Sequence, residues 1–189
     1  MTTVAIVYFS ATGNTKLMAE AIAEGASSVE GTEAKVFRIT GEQIEAGRWK
    51  DDAVIEALHT SDAIVIGSPT YMGGVAAQVK AFIDAAGAVW QNQGWKNKIA
   101  GGFTHSGSPS GDKQGTLLYL ATHAAQHGMV WVGFGELPNE DTNRVGAFLG
   151  AMGYGHAEGD VDPIDLNDSK LYGQRLAKAT HAWNAGKMA

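Results

Sequence analysis

Small polar side chains crowd a short turn near the start of the chain. The turn lies between an apolar run and a stretch with helical spacing, and it contains Ser10, Thr12, Gly13, Asn14 and Thr15. A helix that begins here would direct its unpaired backbone N–H groups and the positive end of its dipole at the turn. The segment SATGNT (residues 10–15, the first loop) has no Lys or Arg and neither of the glycine patterns of dinucleotide or triphosphate sites. We therefore expect it to bind one phosphate through hydroxyl and N–H groups, the alternative being a simple helix cap, which needs only one such side chain.

Two later turns offer similar chemistry. The second loop, GSPTYMGG (67–74), follows an apolar run, and its candidate ligand residues are Pro69, Thr70, Tyr71, Met72 and Gly73. The third loop, THSGSPSGD (104–112), follows another, and its candidates are Thr104, His105, Ser106, Gly107 and Ser108. The second loop suits a planar ring, although a plain strand-to-helix turn is its alternative, and a flexible surface loop is the alternative for the third. Three such loops at one edge of a sheet favour a shared binding site.

The elements that would position these loops alternate along the chain. Strand-like runs cover residues 4–9, 34–39, 62–70, 98–104 and 129–134. Helical patterns lie near 52–59, 75–86 and 114–127, and a final helix is predicted from about 168 to 185. This alternation predicts an α/β fold, in which a parallel sheet carries helices on both faces. In such sheets ligands bind at the carboxyl ends of the strands, where the three loops fall.

Composition limits the classes of function. A chain of 189 residues with 44% hydrophobic content predicts a single domain over residues 1–189. The net charge of −6 argues against a nucleic-acid partner. Without cysteine there is no thiolate nucleophile, so any redox chemistry would belong to a bound cofactor. The sequence has no basic leader and no apolar run of about 18 residues, and we therefore expect a cytoplasmic protein with no membrane partner.

Two patterns that suggest a metal site have simpler interpretations. His123 and His127 have the spacing of a metal-binding pair on a helix but lack the glutamate of a zinc-protease motif, so we predict no metal. His127 then stands at a helix C-terminus, just before Gly128. The acidic run near the last helix lacks the spacing of a calcium loop and contains Asp160, Asp162, Asp165 and Asp168. We expect a solvated loop that ends at the N-cap of that helix.

Three motifs together resemble the flavodoxin-like superfamily, and more narrowly its WrbA-type NAD(P)H:quinone oxidoreductases: YFSATGNT (8–15), SPTYMGG (68–74) and QHGMV (126–130). The resemblance covers roughly residues 1–155 and implies a three-layer sandwich whose five parallel strands have the order 2-1-3-4-5, with FMN at the switch point. It also implies that the first loop holds the FMN phosphate and that the ring contacts the second and third loops and His127. Trp90 matches the position of an aromatic residue that lines the quinone pocket.

The function implied by this resemblance is hydride transfer from NADH or NADPH to FMN and then to a quinone, in ping-pong order and without a catalytic side chain. A flavodoxin that carries single electrons, and a flavin-binding adaptor without turnover, are the alternatives. The chain departs from the family where Tyr71 and Met72 replace an Arg-Phe pair, which leaves the preference for NADH or NADPH open. Its segment 136–168 also differs from the family linker but is predicted to wrap the active site. Family members are often oligomers, so a homodimer or homotetramer is expected.

Overall fold

The computed structural model describes residues 1–187, in which a central sheet carries helices on both faces. The last two residues of the predicted domain 1–189 lie outside the described residues. In chain order the elements are β1 (Thr2–Tyr8), α1 (Asn14–Ser27), β2 (Thr32–Arg38), a 3₁₀ turn (Gly41–Gln43), β3 (Ile44–Glu45), β4 (Arg48–Trp49), α2 (Asp52–Thr60), β5 (Ala63–Tyr71), β6 (Gly74–Val75), α3 (Ala77–Ala85), α4 (Gly87–Gln91), β7 (Ile99–Ser106), α5 (Lys113–Gln126), β8 (Val130–Trp131), β9 (Ala151–Tyr154) and α6 (Pro163–Lys187). Among these described elements, no helix is both long and apolar enough to cross a membrane.

The main sheet has the order β2–β1–β5–β7–β8, and its long strands all run parallel. The expected order 2-1-3-4-5 is thus confirmed, because β5 and β7 are the third and fourth strands of that series. Two short strands share the fifth position, since β8 pairs with the first half of β7 and β9 pairs with its second half. With β6, which folds back antiparallel onto β5, the sheet has seven strands where five were expected.

Burial on both faces explains the apolar composition of the central strands. All eight residues of β7 and the first eight of β5 are buried. One layer of side chains packs the sheet against α1 and α6 and includes Met18 and Leu176. The opposite layer packs it against α2, α3 and α5 and includes Phe82 and Leu120. A parallel sheet covered in this way needs near-continuous hydrophobic runs, since neither face meets water.

Two glycines let α1 and α6 cross in backbone contact. A Cβ atom placed on Gly25 of α1 would overlap the carbonyl oxygen of Lys170, and one on Gly173 of α6 would overlap that of Ile22. The contact is reciprocal, because each helix presents a glycine to a carbonyl group of the other. The two helices therefore approach more closely than larger side chains at these positions would allow.

Gly173→Ala should lower the free energy of unfolding by about 1–3 kcal/mol, although Ala is the better helix former by about 1 kcal/mol. The added methyl group would meet the carbonyl oxygen of Ile22, which belongs to a helix backbone and cannot move alone. Urea denaturation of this variant beside Gly186→Ala tests the prediction, since Gly186 lies on the same helix with open space at its Cβ position. We expect Gly186→Ala to be neutral or stabilising. Equal effects of the two changes would contradict the close crossing.

α6 begins earlier than predicted, and its first turns contain two buried carboxylates. The helix already includes Asp165, so the predicted helix start near Asp168 is wrong. The predicted solvated loop ends earlier: Asp160 is exposed, and the carboxylate of Asp162 caps the helix by accepting from the N–H of Ile164 at 2.9 Å. The carboxylates of Asp165 and Asp168 are both buried. Asp168 accepts hydrogen bonds from the hydroxyl group of Thr142 and the N–H of Asn143, and Asp165 forms an ion pair with Arg144. These partners are 21 to 26 residues away along the chain, which is why the local pattern could not predict them.

Candidate functional site

The carboxyl ends of β1, β5 and β7 lie side by side at one edge of the sheet. In the strand register Tyr8 pairs with Gly67, and Pro69 pairs with His105, so the three predicted loops start from neighbouring positions. The second and third loops enclose a cleft of about 510 Å³, which is lined by Thr70, Met72, Gly73, Ser106, Gly107, Ser108, Gly111, Asp112 and His156. The structure thus brings candidate residues of the second and third loops together in the lining of one cleft.

The first loop leaves the N-terminus of α1 without a side-chain cap. Gly13 has a left-handed backbone (φ 95°) and occupies the N-cap position, where no side chain closes the first turn. The N–H of Leu17 bonds to the carbonyl oxygen of Gly13, so the N–H groups of the residues between them have no partner within the helix. The hydroxyl of the buried Ser10 accepts from the N–H of Gly13 at 3.1 Å, while Thr15 is buried and Thr12 is exposed. The arrangement fits a terminal phosphate, which would take the place of the missing cap.

An arginine that the sequence analysis did not identify supports the first loop. Nη2 of Arg38, at the end of β2, donates to the backbone oxygen of Ser10 at 3.0 Å. The guanidinium group therefore adds positive charge beside a turn whose own sequence has none. Only the pairing of β2 with β1 reveals this contact, because 28 residues separate the two partners along the chain.

A fourth loop, residues 155–160, covers the first loop. The side chain of Asn14 donates from Nδ2 to the oxygen of Ala157 at 3.0 Å and accepts at Oδ1 from the N–H of Gly159 at 2.7 Å. A Cβ atom on Gly13 would lie 3.3 Å from Cα of Gly159, so the two loops touch through their glycines. The side chain of Asn14 therefore serves the fourth loop, and only its backbone N–H can face a phosphate. Segment 136–168, predicted to wrap the site, contributes this loop to it.

The second loop is a β-hairpin. β5 extends to Tyr71, and β6 returns antiparallel after a two-residue turn made of Met72 and Gly73. Both turn residues have positive φ, 50° and 78°, as in the tight turns that join hairpin strands. The turn leaves Met72 fully exposed on the cleft wall and Tyr71 partly exposed beside it. A planar ligand in the cleft would therefore contact Met72.

Buried hydroxyl groups connect the second and third loops below the hairpin. Oγ1 of Thr70 lies 2.7 Å from Oγ1 of Thr104 on β7 and 2.7 Å from Oγ1 of Thr116 on α5. Ser68 fixes the return of the hairpin, since its hydroxyl oxygen accepts from the N–H of Ala76 at 2.9 Å. The hydroxyl groups of the three threonines bond to one another. Thr104 therefore helps to hold the cleft wall in place through its bond to Thr70.

A buried lysine organises the third loop. Lys113 begins α5 and is 1% exposed. Its Nζ donates to the hydroxyl oxygen of Ser106 at 2.9 Å and to the backbone oxygens of Ser108, Pro109 and Ser110 at 3.2, 2.7 and 3.1 Å. Burial lowers the pKa of Lys113 to about 8. Residue type alone predicted Ser106 and Ser108 at the site, but it indicated no role for the lysine that holds them.

His105 lies at the site edge but faces away from the cleft. Successive side chains of a strand point to opposite faces, and Ser106 lines the cleft. A Cβ atom on Gly153 would come within about 3 Å of both His105 and Asp165, which places these side chains together on the α6 side of the sheet. Burial lowers the pKa of His105 to about 4, and Nε2 has no hydrogen-bond partner among the described residues. Within this chain the imidazole supports the sheet beneath the loops.

Two candidate residues lie at the opposite edge of the sheet. α5 begins at the third loop and has 14 residues, so it carries His127 about 21 Å away. There the ring of His127 packs 4.7 Å from that of Trp95 and 4.6 Å from that of His123. Trp90 is 46% exposed and lines a separate cleft of about 280 Å³ with both histidines. Within one chain the structure does not bring Trp90 or His127 to the three loops.

Comparison with known proteins agrees with this architecture. The model of the NADPH-dependent FMN reductase family matches residues 2–143. The chain belongs to this family. A solved WrbA-like flavodoxin from Agrobacterium tumefaciens is similar in structure, with a TM-score of 0.78. It is 36% identical in sequence, and the match covers 96% of this chain and 99% of that chain. The predicted WrbA-type, flavodoxin-like class is confirmed.

Curated relatives of this family member carry two kinds of name. Flavodoxin FldP from Pseudomonas aeruginosa is 38% identical over 94% of this chain and 96% of its own. An NAD(P)H dehydrogenase (quinone) from Archaeoglobus fulgidus is 33% identical over 94% of this chain and 97% of its own. Quinone-oxidoreductase QR2 from Triphysaria versicolor is 32% identical over 93% of this chain and 92% of its own. The names thus include one flavodoxin and two quinone oxidoreductases.

Proposed function

We propose that this protein oxidises NADH or NADPH and passes the two electrons, through bound FMN, to a quinone. The observation that carries the proposal is the uncapped N-terminus of α1 beside the cleft of the second and third loops, in a member of the NADPH-dependent FMN reductase family. The names of two relatives, NAD(P)H dehydrogenase (quinone) and quinone-oxidoreductase, support a quinone as the acceptor.

Residues of this chain would hold both the phosphate and the ring of FMN. The first turn of α1, with Ser10 and the positive charge of Arg38, would bind the phosphate. The second and third loops would hold the edge of the ring, with Met72 and Ser108 in the cleft wall. FMN supplies the redox chemistry, since it accepts a hydride and returns it to an acceptor. Hydride transfer needs the reacting atoms about 3–3.5 Å apart, so the site has to provide stacking geometry and no acid or base.

We infer that the active protein is a homo-oligomer, either a homodimer or a homotetramer. Trp90, predicted to line the quinone pocket, lies at the opposite edge of the sheet from the three loops of its own chain. A contact between Trp90 and the flavin therefore requires a second copy of the chain. The exposed apolar side chains of Met72, Leu118 and Phe148 would be available for such an interface.

Steady-state oxidation of NADH and of NADPH by the FMN-loaded protein, with benzoquinone as acceptor, tests the function. We expect parallel double-reciprocal lines, because both planar substrates would stack in turn on the same face of the flavin. For the same reason a high concentration of quinone should compete with the nucleotide. The ratio of the two nucleotide kcat/KM values also decides the preference that the sequence left open.

Each outcome of this assay has a separate meaning. Intersecting lines would overturn the shared site. No turnover with either nucleotide, in protein that binds FMN, would overturn the enzyme assignment and support the flavodoxin alternative, which the name of the Pseudomonas relative favours. In the same assay Trp90→Ala should keep its FMN and raise the quinone KM roughly 2- to 12-fold, since an aromatic contact is worth about 0.5–1.5 kcal/mol. Unchanged quinone kinetics would remove Trp90 from the site.

A further inference from the structure

We propose that Lys113 tunes the bound flavin: its buried positive charge beside the cleft favours the reduced, anionic form of FMN over the oxidised form. The inference rests on the proposed placement of FMN between the second and third loops. It concerns a residue to which the resemblance to WrbA-type proteins gives no role. Lys113 acts as a positioning residue, because its contacts are with the loop that lines the cleft.

The ammonium group of Lys113 is buried among uncharged partners. Within the described residues its hydrogen-bond acceptors are one hydroxyl oxygen and three backbone oxygens of the third loop. Lysine is almost never fully buried unless it is paired, and this side chain is 1% exposed. Two more distant charges act on it in opposite directions, since Asp165 favours the charged form and Arg144 opposes it. The positive charge therefore remains only partly compensated.

The same contacts fix the direction of the peptide groups in the third loop. None of the described peptide bonds is cis, and in a trans peptide group the C=O and the N–H point in opposite directions. Because the oxygens of Pro109 and Ser110 point at Nζ, the N–H groups of Ser110 and Gly111 point away from it. Gly111 lines the cleft. Lys113 thus orients backbone donors in addition to supplying charge.

The charge lies directly behind the cleft wall. Ser106, whose hydroxyl oxygen is 2.9 Å from Nζ, is itself part of that wall, as is Ser108. Nζ also lies 5.7 Å from the ring centre of Tyr154, which immediately precedes the fourth loop. A charge at this depth is screened less than one at the surface, so it acts on a group in the cleft more strongly than it would in water.

The reaction changes the charge of the ring in the sense that Lys113 would favour. Hydride transfer adds two electrons and one proton to the neutral oxidised ring, which thereby gains one negative charge. A nearby ammonium stabilises this product relative to the oxidised ring. By linkage the anionic ring also raises the pKa of Lys113 above about 8, so that reduction between pH 8 and 9 takes up a fraction of a second proton.

Other ionisable groups lie on the elements around the lysine. They are Asp112 next to it in the chain, His105 on β7, Tyr154 on β9, His156 on the fourth loop, Asp165 on α6, and Arg144 in the segment before β9. His105 stays neutral between pH 8 and 9, because its pKa is about 4. The Lys113→Arg variant separates the proton of the lysine from those of the other groups, since a guanidinium does not lose its proton in this range.

The midpoint potential of bound FMN, measured by spectroelectrochemistry on the full-length holoprotein at pH 7, tests the proposal. We expect Lys113→Met to make the potential more negative by about 30 mV or more, which corresponds to a tenfold loss in the preference for reduced over oxidised flavin. Lys113→Arg keeps the charge and should restore most of the potential. Lys178→Met, at an exposed position on α6, is the matched control and should leave the potential unchanged.

The outcomes separate this inference from the proposed function. A wild-type potential in FMN-loaded Lys113→Met would overturn the role of the lysine. Where that variant fails to fold or to bind FMN, proton uptake by the wild type on reduction decides. More than one proton per flavin between pH 8 and 9, with the excess missing in Lys113→Arg, supports the proposal, and one proton at every pH from 7 to 9 overturns it. Failure of the wild type to bind FMN would instead overturn the cofactor placement and, with it, both proposals.

Discussion

Asp165→Ala will lower the free energy of unfolding by about 3–5 kcal/mol. Asp165 is fully buried, and its carboxylate accepts from Nε and Nη2 of Arg144 at 2.7 and 2.6 Å and from the N–H of Tyr154 at 3.1 Å. Its removal leaves a mostly buried guanidinium group without its main partner and one N–H group without its acceptor. Breaking one side of a buried ion pair is costly, because the remaining charge stays in a poorly solvating environment.

Urea denaturation measures this loss directly. Asp165→Asn, which keeps the size but not the charge, should fall between the wild type and the alanine variant. Asp160→Ala is the matched control, since Asp160 is exposed, and it should stay within about 0.5 kcal/mol of the wild type. FMN affinity should also fall in Asp165→Ala, because Tyr154 leads directly into the fourth loop. A loss below about 1 kcal/mol would contradict a major structural role for the ion pair.

Lowering the pH from 8 to 5.5 will cost about 3 kcal/mol of unfolding free energy through two buried histidines. Burial lowers the pKa of His105 to about 4 and that of His123 to about 3, from an ordinary value of 6.5. Between these values the unfolded chain binds protons that the folded chain does not. The stability is therefore fully present above pH 6.5 and is lost as the pH falls. At pH 5.5, one unit below the ordinary value, each histidine accounts for about 1.4 kcal/mol.

A single substitution separates the two contributions. Between pH 8 and 5.5, His123→Leu should lose about 1.4 kcal/mol less stability than the wild type, measured by urea denaturation at both pH values. His59→Leu is the matched control, because His59 is exposed on α2, and it should lose as much as the wild type. The pKa of His127 is also lowered by burial, so this residue adds to the loss in all three proteins. Unfolding free energies that do not change with pH would show that the rings are not buried in solution.

The order of the sheet could be predicted because short stretches of sequence carry it. The apolar runs of β5 and β7 and the helical patterns between them are local signals, and the rules for parallel sheets supply the rest. The beginning of α6 could not be predicted in the same way. Asp165 and Asp168 are charged, and only their distant partners explain why they are buried within a helix. The contact of Gly25 with α6 is equally invisible in a local pattern.

The loops that form the candidate site could be predicted from the sequence, but the contacts of their side chains could not. Residue type alone identifies the turn around Gly13 and the small polar residues beside the cleft. It does not show that the side chain of Asn14 is taken up by the fourth loop, or that His105 faces the other side of the sheet. Arg38 and Lys113 were missed, because their contacts depend on strand pairing and on burial.

The outer border of the sheet beyond β7 is divided into pieces too short for a foreign strand to pair with. β8 has two residues and β9 has four, with residues 132–150 between them. A long unpaired border strand offers N–H and C=O groups that recruit other chains into aggregates. At the other border β2 has seven residues, but Glu33, Lys35 and Arg38 place charges along it. Both borders are thus poor templates for fibrous aggregation, although the sheet between them is largely apolar.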